Sequence, residues 1–171
     1  RAAHVSKRFA KRTAYLRARL GRRHQLSFYQ FHATLHARPA NIRSAGVRRI
    51  ANREIEVLDV SPGELGPGFD RTFEEVAESL GGFERSYFEP DGSFVWVASA
   101  DEPKWQLDGM VYDRNGRVLY VDLKGTCPAA RWDELLTTLG WPATAVMFQP
   151  VREAVFLDEA TFREFAAVRP A

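Results

Sequence analysis

The chain alternates apolar and polar positions most clearly in residues 105–125, WQLDGMVYDRNGRVLYVDLKG. Period-two alternation with a polar turn in the middle predicts two paired strands. Asp113 opens the turn and Gly116 closes it, which suits a three-residue hairpin with a bulge at the glycine. That register pairs Asp113 with Arg117, Tyr112 with Val118, Met110 with Tyr120, and Asp108 with Asp122. Leu107, Val111, Leu119, Val121 and Leu123 form the core side, while Asp108, Asp122 and Lys124 share the other face. A two-residue Asn115-Gly116 turn would shift the register by one and carry Asp108 to the opposite face.

Other elements follow from the same reading. Residues 70–80 predict a helix capped by Asp70, with Phe73, Val76, Ala77 and Leu80 on one side and Gly81 after its end. A hairpin turns at Pro90-Asp91-Gly92. Pro128 opens a helix over residues 129–139 whose stripe is Trp132, Leu135, Leu136 and Leu139. The strand TAVMFQ follows, then AVFLD and a closing helix over residues 159–168. Upstream, EIEVLDV reads as a strand, and SPGELGPG as a Pro/Gly-rich connection dividing an arm (residues 1–60) from a core (residues 61–171). Residues 5–20 suit a basic helix ended by Gly21. QLSFYQFHATLHA fits helix or strand.

Two carboxylates facing each other across a strand pair destabilise it unless solvent, a cation or a metal offsets the repulsion. Lys124 is the one cation this register places beside them. Two acids and a lysine on one face suit a hard divalent ion and a polarised water, the requirements of phosphodiester hydrolysis. Against this stands a plain meander with charges at a wet strand end and Lys124 paired to Asp122. The acid-x-Lys pattern itself recurs at Glu102-Pro103-Lys104.

An Asp in one strand followed by Asp-x-Lys ending the next, here "LDG" and "VDLKG" with 13 residues between the acids, resembles the PD-(D/E)xK (restriction-endonuclease-like) nuclease superfamily. The resemblance spans residues 69–155. It implies an α/β fold, a mixed β-sheet with helices on both faces around an α-β-β-β-α-β core, here preceded by a basic N-terminal arm. It further implies cleavage of DNA or RNA with Mg²⁺ (or Mn²⁺) held by Asp108 and Asp122, Lys124 as the catalytic cation, and Glu78 as a further acid from the first helix. The chain departs from the pattern at Leu107, where the family has Pro, and at Asp122, where Glu is commoner. Several toxins of bacterial competition resemble this fold, which implies secretion or delivery and action in a target cytoplasm. YDRNGRVLYV also resembles one unit of bacterial tyrosine-aspartate repeats, but no second copy is present.

Charge changes the picture upstream. The net charge is +2, yet residues 1–53 hold 14 Lys or Arg and no acid, while residues 54–171 hold 10 basic and 22 acidic residues. Such a segment reads as a nucleic-acid contact, with Arg22, Arg23, Arg48 and Arg49 as candidate phosphate ligands and interleaved aromatics for stacking. The alternatives are an arm lying against the acidic domain and an Arg-rich targeting peptide, which the segment's length and apolar stretches suit less well. His32 and His36 would share a helix face at four-residue spacing, as a metal pair does, but with no third ligand nearby they read as incidental or phosphate-contacting. Cys127, the single cysteine, excludes an internal disulfide and reads as a packed thiol. No apolar run approaches ~18 residues, so no membrane span is expected. Starting at Arg1, the chain reads as a fragment or processed product. The competing function is a non-catalytic nucleic-acid binder, or an immunity-like protein whose acidic face takes a cognate protein partner.

Overall fold

The computed structural model describes residues 27–50 and 52–168. The basic helix expected over residues 5–20 lies outside them, as do Arg22 and Arg23. Nine strands are present: β1 (Phe28–Ala37), β2 (Arg43–Ile50), β3 (Arg53–Asp59), β4 (Ser86–Phe88), β5 (Ser93–Val97), β6 (Gln106–Arg114), β7 (Arg117–Pro128), β8 (Val146–Pro150) and β9 (Leu157–Asp158). Three α-helices accompany them: α1 (Phe73–Gly81), α2 (Ala129–Thr138) and α3 (Glu159–Ala166).

Seven strands form one sheet in the order β4-β5-β6-β7-β1-β8-β9, and β2 pairs with β3 alone. This is a mixed α/β chain, but each named strand pairing is antiparallel, not mixed. The cause is β1. Burial alternates along it, with Tyr29, Phe31, Ala33 and Leu35 inward, and this apolar row needs a covered site in the sheet. It takes the place between β7 and β8. The two strands joined through α2 are therefore not neighbours. The ambiguous segment QLSFYQFHATLHA is thus a strand in the body of the sheet, although its charge grouped it with the arm.

The described helices pack on one face, not two. Trp132 of α2 lies 4.8 Å from the Phe31 ring, and Phe162 of α3 stacks on Phe148 at 4.1 Å. At the other end, Phe83, just after α1, stacks on Trp96 at 4.4 Å. These residues belong to one buried cluster with Val76, Leu80, Leu107 and Leu123. Burying a Trp or Phe is worth about 2–3 kcal/mol each, so this single layer explains where the helices sit. The opposite face of β6, β7 and β1 carries most of the polar positions of each alternation.

Local signals set the helix ends. Thr72, not Asp70, caps α1: its Oγ1 accepts from Glu75 N, and Glu75 Oε2 accepts from Thr72 N, a reciprocal capping box. Asp70 instead pairs with Arg117 at 2.8 Å. The expected stripe of α2 is buried, Leu139 included. Arg163 of α3 is 4% exposed. It is held by Asp133 at 2.6 Å, by Glu159, and by the Tyr29 hydroxyl. Burial opposes its charge, but those partners raise its pKa above the ordinary arginine value.

Candidate functional site on the open sheet face

The β6–β7 turn decides which charges meet. It is a two-residue turn with Asn115 at φ 55° and Gly116 at φ 75°, both left-handed, as a type I′ hairpin requires. The Asp113 carboxylate accepts from Gly116 N at 2.9 Å and braces it. This turn by itself would send Asp108 to the core face. It does not, because the pairing steps from Asp113↔Val118 to Tyr112↔Tyr120, leaving Leu119 as a bulge. The two single-residue displacements add to two and restore the parity.

Asp108, Asp122 and Lys124 therefore do share a face, but the expected pairing is corrected. Asp108 stands opposite Lys124, and Asp122 stands opposite Met110. The carboxylates are diagonal neighbours, a geometry with Cα atoms about 7–8 Å apart. Asp108 thus has a cation, not a second acid, at the directly opposed position. Gln106 Nε2 also donates to Asp108 Oδ1 at 2.7 Å.

With β1 alongside, the open face resolves into cross-strand rows. Gln30, Thr126 and Gln106 form the first; His32, Lys124 and Asp108 the second; Thr34, Asp122 and Met110 the third; His36, Tyr120 and Tyr112 the fourth. Successive rows lie about 6.7 Å apart. A shallow groove of about 380 Å³ runs along the first two rows, lined by Gln30, His32, Gln106, Asp108, Lys124 and Thr126 among others.

No family model, curated protein or solved structure matches this chain. The chemistry of the face rests on its own geometry.

Asp122 is its most unusual member. Its Oδ1 is buried and accepts no hydrogen bond, although His32 Nε2 lies 3.3 Å away. An orphaned carboxylate oxygen beside a second acid is a place where a cation is welcome. Among the described residues, no three His, Cys, Asp or Glu side chains converge as a metal-binding group. That does not suit zinc, which takes three or four protein ligands. Mg²⁺ takes as few as one or two carboxylates and keeps its waters, and Asp108 and Asp122 are the residues that would hold it.

His32 and His36 join this face because β1 is a strand. Spacing of four residues puts two side chains on one side of a strand as it does on a helix, so the spacing was visible in the sequence while the neighbours were not. His36 is buried, accepts or donates at Thr34 Oγ1 over 2.8 Å, and burial lowers its pKa to about 4.

The remaining candidates lie elsewhere. Val76 and Leu80 fix α1 against the helix-covered face, so Glu78 lines a groove between α1 and α2 with Arg71, Glu75 and Glu134. It does not join Asp108 and Asp122. Arg48 and Arg49 are exposed on β2, opposite Ile55 and Glu54. That hairpin meets the other strands through the Leu58↔Phe156 bridge, beyond β8 and away from β6. Cys127 is buried, and burial pushes its thiol up to about 12. Such a thiol is a packing group, not a nucleophile.

Proposed function

We propose that the open face hydrolyses phosphodiester bonds of DNA or RNA, with Asp108 and Asp122 as ligands for Mg²⁺ or Mn²⁺. One observation carries this reading: Asp108, Asp122 and Lys124 all stand on the face the described helices leave open, and a bulge at Leu119 is what keeps Asp108 there. The chemistry a divalent ion supplies at such a site is an acidified water and an offset to charge gathering on the phosphate. Lys124 orients the attacking water and neutralises developing negative charge at the phosphoryl oxygens. Gln106 holds Asp108 in place. His32, opposite Lys124 and beside Asp122, reaches the same phosphate or receives a proton.

A second reading has its own observation. Gln106 is bonded to Asp108, and Lys124 stands at the opposed position, so that carboxylate has a partner within the protein. This suits a face that binds nucleic acid, or a cognate protein, without chemistry. The deciding experiment incubates the full chain with plasmid, single-stranded DNA and RNA in Mg²⁺ or EDTA. Cutting that EDTA stops supports the nuclease. Salt-sensitive binding without cutting leaves the binder, and neither outcome leaves a protein partner.

A further inference from the structure

The fourth row of the open face is built of rings. His36 stacks on Tyr120 at 5.3 Å with planes 22° apart, and Tyr120 stacks on Tyr112 at 4.5 Å with planes 18° apart. Phe156 closes the other end, edge-on to His36 at 5.6 Å. Exposure rises along the stack: His36 is 7% exposed and Tyr112 41%. The β5–β6 pairing ends at Ser93↔Met110, so no strand residue of β5 stands opposite Tyr112. The stack is thus closed by Phe156 on one side and ends on the other in the exposed Tyr112 ring.

We propose that this ladder is a base-stacking platform and that the nucleic acid taken by the face is single-stranded. The inference rests on the proposed site and names its substrate class. A flat ring at the open end of a parallel stack is complementary to an unpaired base, whose faces are exposed only when it is not in a duplex. Tyr112 lies two rows, about 13 Å, from the Lys124–His32 row, so a short extended strand spans from stacked base to held phosphate. A second exposed ring lies on the same side: Val95 pairs with Asp108 and Tyr87 with Val95, and Tyr87 is 61% exposed. At the level of sequence, the nine Lys or Arg residues that precede Ser27 suit a polyanionic ligand. The same stack also supports the sheet as a set of cross-strand aromatic pairs, and the test below separates the two roles.

Binding of labelled oligo-dT, oligo-U and a duplex is measured by anisotropy with EDTA present, so that no cleavage is required. Tyr112→Ala is expected to weaken both single-stranded ligands roughly tenfold and leave the duplex unchanged, while Tyr112→Phe keeps the wild-type affinity. Should Tyr112→Ala not fold, the ring resonances of Tyr112 in the wild type must shift when oligo-dT or oligo-U is added. Equal affinity of wild type and Tyr112→Ala for single strands, unshifted Tyr112 resonances, or no single-strand binding by the wild type overturns the platform. A purely structural ladder would lower the melting temperature in Tyr112→Ala without that tenfold loss. Metal-dependent cutting that survives a failed platform leaves the nuclease standing, and intact stacking without cutting leaves the platform alone.

Discussion

Asp108 faces Lys124, not Asp122, across the β6–β7 pair. The charge that a carboxylate pair would have wasted on repulsion is placed opposite a cation, on an accessible strand face. Asp108→Asn therefore relieves no direct acid–acid repulsion and weakens at most the bond from Gln106. It should lower stability by no more than about 1 kcal/mol, as read by urea unfolding. A marked rise in the melting temperature would contradict the pairing.

Gly109 lies on the core side next to Asp108, and a Cβ there would sit 2.2 Å from the Phe94 ring. Gly109→Ala must displace a ring that is 2% exposed, so a loss of about 1–3 kcal/mol is expected. Gly125, just after Lys124, has φ +140° and its Cβ would meet Gln106 O at 2.1 Å. Gly125→Ala should cost at least as much, because the clash is with backbone. A thermal melt of each variant decides it, and an unchanged midpoint would contradict this packing.

His36 supplies a pH dependence whose sign is fixed. Its folded pKa is about 4, lowered by burial, against an ordinary value of 6.5. Between those values the unfolded chain takes up a proton that the folded chain refuses, so stability is fully present above pH 6.5 and falls as pH drops toward 4. The loss amounts to about 3 kcal/mol over that window. His36→Phe should flatten the pH 4–7 stability profile by that amount relative to wild type, measured by urea unfolding at several pH values. Parallel profiles would contradict a buried neutral imidazole.

Much of this fold was legible because periodicity and turn chemistry report locally. The hairpins around Gly92 and Gly116, the buried stripe of α2 and the Pro128 start needed only short windows. Three features were not legible. The bulge at Leu119 depends on how β7 fits both β6 and the 69–73 segment, which bonds to it through Phe69 N and Val118 O, and no local pattern marks it. The place of β1 between β7 and β8 is a long-range choice made by its inward row of Tyr29, Phe31, Ala33 and Leu35. That all three described helices cover one face follows from that choice, since they are drawn to the same inward rows. The shared face of Asp108, Asp122 and Lys124 was read correctly although the turn was not, because a two-residue displacement preserves parity.

Metal should act through both acids. Mg²⁺ in hundredfold excess over its dissociation constant stabilises the folded chain by about 2.7 kcal/mol, visible as a rise in melting temperature. Asp108→Asn and Asp122→Asn should each abolish that rise. Equal shifts in wild type and both variants would place any bound metal elsewhere.

In the proposed nuclease, Lys124 acts at the chemistry while the rest of the chain holds the nucleic acid. One measurement reaches it most directly: cleavage and binding of the same labelled single-stranded substrate, in Mg²⁺, by wild type and Lys124→Ala. Lys124→Ala is expected to lose at least about a hundredfold in cleavage rate, the scale of removing one group that stabilises transition-state charge, with affinity changed less than about threefold, since one lysine is a small part of the phosphate-binding field. Cleavage by Lys124→Ala at the wild-type rate, or no cleavage by the wild type under any metal, would contradict it.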